Sequence, residues 1–222
     1  MPMKKFETLF FDLDATLYSP SSGLWKLIKN RIAQYTMKCT GLPETEAQQI
    51  REVYLEKYGT TLAGLQRHYQ VDTKDYLDYV HNVPLANYIT PNPQLRVMLE
   101  SLPQKKWVFT NSDMPHVERV LGILGIEDLF SGVADVYALD FNIKPMPEAY
   151  ERTLAMAGNP DPQTCVLLDD RIENLVTAGK MGFYTVLVNV FDSPNGSQFN
   201  ANLHIQDLLD LPAKMPELWD VS

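Results

Sequence analysis

A short apolar block, Leu9-Phe10-Phe11, stands near the start of the chain and ends abruptly in the polar string Asp12-Leu13-Asp14-Ala15-Thr16. A short apolar run with aromatic residues is typical of a strand that is covered on both faces of a sheet. Charges at the end of such a strand are costly unless they bind something, because an unpaired buried carboxylate costs several kcal/mol. In open α/β sheets, ligands also bind at the carboxyl ends of the strands. The pattern therefore predicts a first strand whose carboxyl end binds a cation, takes part in a reaction, or does both.

From about residue 23 to residue 81, apolar positions recur at intervals of three and four residues, which is typical of amphipathic helices. Glu44–Tyr58 is predicted as one helix, because a proline precedes it and a glycine follows it. Thr60 and Asp72 are predicted N-caps of two shorter helices. The proline-rich segment Thr90-Pro91-Asn92-Pro93 then indicates a linker at the end of the helical region.

Helices and strands alternate in the remainder of the chain, which predicts a parallel sheet with right-handed crossovers. The predicted strands are 107–110, 133–138, 165–168 and 184–188, and the predicted helices are 93–101, 114–124, 147–157 and 172–181. The tail from Asn189 is expected to pack on the core and to contain one short helix at 205–209. The predicted fold is α/β, a doubly wound parallel sheet (1–16 and 91–222) with an inserted α-helical cap (17–90).

Composition narrows the class of protein. The chain has 222 residues, of which 45% are hydrophobic, and a formal net charge of −9, which indicates a soluble globular protein and argues against nucleic acid or an anionic membrane as a partner. Two cysteines without metal-ligand spacing favour a reducing compartment. The uncharged run between Glu7 and Asp12 is too short for a secretory signal, and no stretch approaches a membrane span. We expect a cytoplasmic protein that is a monomer or a small homo-oligomer.

Three further polar features fall where a predicted strand ends or a helix begins: Thr110-Asn111-Ser112, Lys144 and Asp169-Asp170. Each has an ordinary structural interpretation, such as a helix N-cap or a solvated cation. Their joint position at one edge of a sheet favours a site instead. Carboxylates suit Mg²⁺, and a hydroxyl, an amide and an ammonium suit the oxygens of a phosphoryl group. A carboxylate can then attack the phosphorus and form an acyl phosphate.

The chain resembles the haloacid dehalogenase-like phosphohydrolase superfamily in four motifs, which occur in the family's order. They are Asp12-Leu13-Asp14-Ala15-Thr16, Thr110-Asn111, Lys144-Pro145 and Asp169-Asp170. The resemblance implies a Rossmann-like core in which Asp12 is the nucleophile that becomes aspartyl-phosphate. It implies that Asp14 protonates the leaving oxygen and then activates water. It also implies that Thr110 and Lys144 bind the phosphoryl group, and the neighbouring Asn111 is a predicted substrate contact.

The same resemblance implies a Mg²⁺ cofactor held by Asp12, the backbone carbonyl of Asp14 and the carboxylate of Asp170, with Asp169 in support. It also implies that Thr16 stabilises the loop after the first strand and does not contact the substrate. An acid at Asp14 indicates phosphate transfer to water, because the dehalogenating branch needs neither a proton for its halide nor a metal.

Two residues depart from the family's pattern. Ala15 stands where Asn or Asp is more usual, and Asn174 stands where some relatives carry another acid. Ala15 is expected to remove at most one loop hydrogen bond. Asn174 is expected to weaken metal binding modestly, and an active enzyme remains the expectation.

A narrower resemblance, to the pyrimidine 5′-nucleotidase branch, rests on residues 17–24 and 58–65 and on Phe109-Thr110-Asn111 followed by His116 and Arg119. It implies a nucleotide as the small phosphorylated metabolite that the protein binds.

Residues 17–90 contain two further predicted substrate contacts, Tyr18 and Arg51, because aromatic faces and Arg can stack a base. Amphipathic helices bury Tyr side chains in any case, which is the alternative for most tyrosines of this region. His68 and His116 are expected to be surface or packing residues.

The sequence therefore predicts a Mg²⁺-dependent phosphomonoesterase with an aspartyl-phosphate intermediate, expected to act on pyrimidine nucleoside 5′-monophosphates. The alternatives are a phosphatase for phosphoglycolate or a sugar phosphate, a phosphomutase, and a non-catalytic ligand-binding protein. A resemblance to phospho-accepting receiver domains fits poorly, because the order of the residues and the large helical insert differ.

Overall fold

The computed structural model describes residues 6–188 and 200–220. Residues 6–20, 89–188 and 200–220 belong to one compact unit, and residues 21–88 form the other. In the smaller unit the helices are α1 (Leu24–Thr40), α2 (Glu44–Tyr58), α3 (Thr61–Tyr69) and α4 (Thr73–His81). In the larger unit they are α5 (Pro93–Ser101), α6 (Met114–Leu124), α7 (Pro147–Met156), α8 (Ile172–Met181) and α9 (Leu211–Lys214).

A parallel sheet organises the larger unit. Its strands are β1 (Thr8–Phe11), β2 (Lys105–Phe109), β3 (Gly132–Ala134), β4 (Cys165–Asp169), β5 (Tyr184–Val188) and β6 (Leu203–Ile205). They lie in the order β3-β2-β1-β4-β5-β6, and every neighbouring pair is parallel. The first strand is therefore central, with β2 on one side and β4 on the other. This arrangement confirms the predicted α/β fold and brings the carboxyl ends of β1, β2 and β4 together.

The apolar character of β1 matches its central position, because all four of its residues are buried. Phe10 packs into a core that includes Phe109, Tyr150 and Phe183. The rings of Phe109 and Tyr150 meet edge to face, with their centroids 5.0 Å apart. Aromatic pairs in this geometry stabilise a protein by more than their buried area alone, so this contact stabilises the hydrophobic core around Phe10.

The smaller unit confirms the helix predicted at Glu44–Tyr58 and both predicted N-caps. The Thr60 hydroxyl accepts a hydrogen bond from the N–H of Ala63, and the Asp72 carboxylate accepts one from the N–H of Asp75. These bonds satisfy donors that a helix start otherwise leaves unpaired. Helices α2 and α3 approach closely at Gly64, where an added Cβ atom would overlap the ring of Tyr54.

Two elements differ from the sequence-based prediction. The third strand ends at Ala134, before residue 138, because the Asp135 carboxylate accepts the N–H of Ala138 and turns the chain. The helix predicted at 205–209 is wrong, since Leu203–Ile205 is the edge strand β6 and is followed by a 3₁₀ turn. Three residues are too few for an alternating pattern to identify a strand.

The tail that begins at Asn189 is described from residue 200 onward, and residues 189–199 lie outside the described part. Leu211, Met215 and Leu218 in this tail are completely buried, which confirms for 200–220 that the tail packs on the core. Among residues 6–188 and 200–220, no helix has the length and apolar character needed to cross a bilayer.

Candidate active site

Lys144 lies at the centre of the site, on the loop between β3 and α7. Its Nζ is 2.8 Å from Oδ1 of Asp12, after β1, and 2.6 Å from Oδ2 of Asp169, at the end of β4. The side chain is only 1% exposed. Burial lowers the pKa of Lys144, but the two carboxylates outweigh it, and the net pKa is raised. The ammonium therefore stays charged and links two neighbouring strand ends.

Asn111 fixes the backbone of Lys144. The amide Nδ2 of Asn111 donates to the carbonyl oxygen of Lys144 at 2.9 Å, and the N–H of Lys144 donates to Oδ1 of Asn111 at 2.8 Å. Asn111 lies two residues after the end of β2, so this pair of bonds ties the distant Lys144 loop to the end of the sheet. Thr110, the preceding residue, is buried, and its hydroxyl accepts the N–H of Ser112 at 3.0 Å.

Three carboxylates crowd beside this ammonium. Asp12, Asp169 and Asp170 each offer one oxygen, and these oxygens all lie within 4.8 Å of one another. Burial raises the pKa of Asp12, with Asp169 and Asp14 adding to the rise and Lys144 opposing it. Burial also raises the pKa of Asp170 well above its usual range, with further contributions from Asp12 and Asp169. One ammonium does not balance the charge of three carboxylates, so this cluster takes up either a proton or a further cation.

Asp169 and Asp170 have different surroundings. The amide Nδ2 of Asn174 donates to both oxygens of Asp169 at 2.9 Å, and the N–H of Arg171 donates to its Oδ1 at 2.8 Å. The side chain of Asp170 accepts no hydrogen bond from the described part of the chain and is only partly buried. Asp170 is thus open to a ligand, whereas Asp169 is held in place. Oxygen ligands of this kind fit Mg²⁺.

Asn174 therefore contributes a hydrogen-bond donor to Asp169 at the position where some relatives of the family carry an acid. Its own Oδ1 is buried and has no hydrogen-bond partner among the described residues. Its backbone carbonyl accepts the hydroxyl of Tyr150 at 2.7 Å, which anchors this turn of α8 to the core.

Asp14 has a separate set of neighbours. The Tyr18 hydroxyl donates to Oδ1 of Asp14 at 2.6 Å, and Nε2 of His116 lies 2.8 Å from the same oxygen. The Ser112 hydroxyl donates to Oδ2 at 2.8 Å. Burial raises the pKa of Tyr18 well above its usual range, and the carboxylate of Asp14 adds to this, so the phenol keeps its proton. Asp14 is thus a nearly buried carboxylate held by at least three polar side chains.

Sequence reasoning missed two of these neighbours. His116 was expected to be a surface or packing residue, but its buried ring contacts Asp14. Ser112 was considered as a cap for α6, but the N–H of Met114 at the start of that helix donates to Asp135 instead. The available signal was a histidine on the otherwise apolar buried face of α6, since the other buried residues of that helix are all Val or Leu.

Ala15 and Thr16 lie in the loop that follows β1. Ala15 adopts the left-handed conformation with φ of 65°, which Asn and Asp tolerate better than Ala. The hydroxyl of Thr16 is buried without a hydrogen-bond partner among residues 6–188 and 200–220. The expected bracing by Thr16 therefore does not come from its hydroxyl, and the loop is closed by the N–H of Leu17, which donates to the carbonyl of Leu13 at 3.0 Å.

The two substrate contacts predicted from the cap region remain predictions. The hydroxyl of Tyr18 is engaged by Asp14. Arg51 lies on α2 in the smaller unit, where its guanidinium is 4.0 Å from the carboxylate of Glu52. The Nε of Arg51 is buried, with no hydrogen-bond partner in the described part of the chain.

Comparison with known proteins identifies the class. The family model of haloacid dehalogenase-like hydrolases matches residues 6–182, and the chain belongs to this family. A curated relative is phosphate metabolism protein 8 of Saccharomyces cerevisiae, which is 29% identical over 237 residues, covering 94% of this chain and 72% of the relative. Hexitol phosphatase B of Escherichia coli O157:H7 is 29% identical over 104 residues, 46% of each protein.

Solved structures share the architecture. CbbY from Rhodobacter sphaeroides in complex with phosphate has a TM-score of 0.69 and 18% sequence identity, covering 96% of this chain and 99% of that one. A haloacid dehalogenase-like family protein from Streptococcus pneumoniae has a TM-score of 0.65 and 20% identity, covering 95% and 99%. At these identities the comparison shows the fold alone.

Proposed function

We propose that this protein is a Mg²⁺-dependent phosphomonoesterase that works through an aspartyl-phosphate at Asp12. The observation that carries the proposal is the buried ammonium of Lys144, which bridges Asp12 and Asp169 beside the open carboxylate of Asp170. The family match supports hydrolysis, and the names of two relatives, phosphate metabolism protein 8 and hexitol phosphatase B, support phosphate as the group acted on.

In the first step, an oxygen of Asp12 attacks the phosphorus of the substrate and forms a new P–O bond while the bond to the leaving oxygen breaks. Asp14 gives its proton to that leaving oxygen. Lys144 and Thr110 hold the oxygens of the transferred group, and Asn111 keeps Lys144 in place through its backbone.

In the second step, Asp14 takes a proton from water, and the water oxygen attacks the phosphorus. The bond between Asp12 and phosphorus breaks, which restores the carboxylate and releases inorganic phosphate. Mg²⁺ would be held by Asp12, Asp170 and the backbone carbonyl of Asp14, with Asp169 in support. When bound, this ion neutralises negative charge on the phosphoryl oxygens.

For the substrate, we propose a small phosphorylated metabolite, with pyrimidine nucleoside 5′-monophosphates as the first candidates. This finer assignment rests on the sequence resemblance of residues 17–24 and 58–65. Within the smaller unit, the Tyr54 ring stacks on His68 with centroids 5.3 Å apart, and the Tyr58 hydroxyl is 3.0 Å from Nε2 of His68. These rings pack on one another, so they lend the nucleotide assignment no support beyond the sequence. A sugar or sugar-alcohol phosphate is the second candidate, on the name of hexitol phosphatase B.

The test is phosphate release from a panel of UMP, CMP, AMP, GMP, phosphoglycolate and hexose phosphates, with and without Mg²⁺. Asp12→Asn is the inactive variant, and Asp220→Asn, at an exposed position outside the site, is the matched control. Release that needs both Mg²⁺ and Asp12 is expected, with the highest kcat/KM for UMP and CMP. Preference for a hexose phosphate would discard the pyrimidine assignment and keep the chemistry. Undiminished activity in Asp12→Asn would overturn the mechanism.

A further inference from the structure

The carboxylate of Asp14 is held by residues from three separate parts of the chain. Tyr18 lies four residues after it, Ser112 follows β2, and His116 lies in the first turns of α6. Tyr18 and His116 both contact Oδ1, at 2.6 and 2.8 Å, and Ser112 contacts Oδ2 at 2.8 Å. Hydrogen bonds at both oxygens restrict the carboxyl group to one orientation, which is what proton transfer to a fixed atom requires.

Ser112 is itself fixed by backbone bonds. Its N–H donates to the Thr110 hydroxyl at 3.0 Å, and its carbonyl accepts the N–H of Val136 at 3.1 Å. Its hydroxyl can donate or accept, because the hydrogen rotates about the C–O bond. Tyr18, with its phenolic hydrogen, and the ring nitrogen of His116 are donors to an ionised carboxylate. These three side chains therefore hold both oxygens of Asp14.

We propose that Tyr18 and His116 are positioning residues for Asp14: their contacts with Oδ1 hold the carboxyl group in the orientation from which it gives a proton to the leaving group and takes one from water. This inference rests on the proposed function and assigns a role to two residues that neither the motif comparison nor the family match assigns. It also accounts for a histidine on the apolar face of α6. A purely structural role for the pair is the alternative, since any buried carboxylate needs hydrogen bonds.

The two roles differ in how activity depends on the leaving group. 4-Nitrophenyl phosphate releases a weakly basic phenolate that needs little protonation, whereas phenyl phosphate and alkyl phosphates release strongly basic oxygens. Damage to proton delivery therefore slows the second kind of substrate more. Damage to the fold or to phosphate binding slows both kinds equally. The readout is kcat/KM, because it reports the steps up to loss of the leaving group.

The experiment measures kcat/KM of the full-length, Mg²⁺-loaded protein for 4-nitrophenyl and phenyl phosphate in Tyr18→Phe and His116→Leu. We expect the ratio of the two values, nitrophenyl over phenyl, to rise about tenfold in each variant. His116→Gln, whose amide keeps a donor at similar reach, is expected to return the ratio toward that of the unmodified protein. Tyr184→Phe, on β5, and Glu118→Gln, at an exposed position of α6, serve as matched controls with an unchanged ratio.

Tyr18→Phe removes a single oxygen atom and keeps the ring, so it remains informative if His116→Leu folds poorly. An unchanged ratio in Tyr18→Phe, with or without an equal loss for both substrates, would overturn the inference. Failure of the proposed function gives a different result, because the unmodified protein would then release no phosphate in an Asp12-dependent manner from either compound.

Discussion

Replacing Lys144 with Met tests whether the bridge between the strand ends supports the fold as well as the chemistry. The ammonium is 1% exposed and lies 2.8 Å from Asp12 and 2.6 Å from Asp169, which is itself completely buried. Removal of one partner from a buried ion pair costs about 3–5 kcal/mol, because an uncompensated charge stays behind. Here two carboxylates lose their partner, so we expect Lys144→Met to lower the free energy of unfolding by about 4 kcal/mol.

The assay is urea unfolding of the metal-free protein, with the m-value checked to be unchanged. In a double-mutant cycle, Lys144→Met is expected to cost about 2 kcal/mol less when Asp12→Asn is also present, since one of the stranded charges is then neutral. Lys106→Met is the matched control, because Lys106 is half-buried and its Nζ donates to the carbonyls of Leu102 and Gln104. A cost below about 1 kcal/mol for Lys144→Met in both backgrounds would refute this reasoning.

Three further predictions concern metal binding and packing. Chelation of the metal is expected to abolish phosphate release. Mg²⁺ at a hundred times its Kd is expected to stabilise the protein by about 2.7 kcal/mol in thermal scans. An equal stabilisation by Mg²⁺ in Asp170→Asn would contradict the proposed ligand set. Asn174→Asp places a carboxylate where an amide now donates to Asp169; we expect a lower metal-free Tm and a larger upward shift on adding Mg²⁺, and an unchanged metal-free Tm would count against this. Gly64→Ala places a Cβ against the ring of Tyr54 and is expected to lower the free energy of unfolding in urea by about 1–3 kcal/mol. A negligible change would show that helices α2 and α3 can move apart to accommodate the added methyl group.

The parts of the fold that could be predicted are those with long or strongly patterned segments. Helices Glu44–Tyr58 and Ile172–Met181 have the predicted bounds, because a clear period and a glycine at the C-terminal end coincide in each. β1 was recognisable because a fully buried central strand is a continuous apolar run. The edge strand Leu203–Ile205 was not, because only part of it is buried and three residues carry no period.

The candidate site likewise has a part that could be predicted from the sequence and a part that could not. The carboxylates and Lys144 follow or precede predicted elements, so the sheet topology alone predicted that they would gather at one edge. The roles of Asn111 and His116 depend on which side chain meets which atom across more than thirty residues of sequence. Spacing along the chain carries no information about such contacts, so the sequence did not predict that both ends of the Asn111 amide bind the backbone of Lys144.

The most direct test of the account is to trap the phosphorylated protein. Asp14→Asn keeps the nucleophile but lacks the base for the second step, so it should accumulate the intermediate when mixed with 4-nitrophenyl phosphate and Mg²⁺. After acid quenching and proteolysis, mass spectrometry is expected to find one phosphoryl group on the peptide that contains Asp12, together with a stoichiometric burst of 4-nitrophenol. A burst with the phosphoryl group on another peptide, or steady turnover with no phosphorylated peptide, would contradict nucleophilic attack by Asp12.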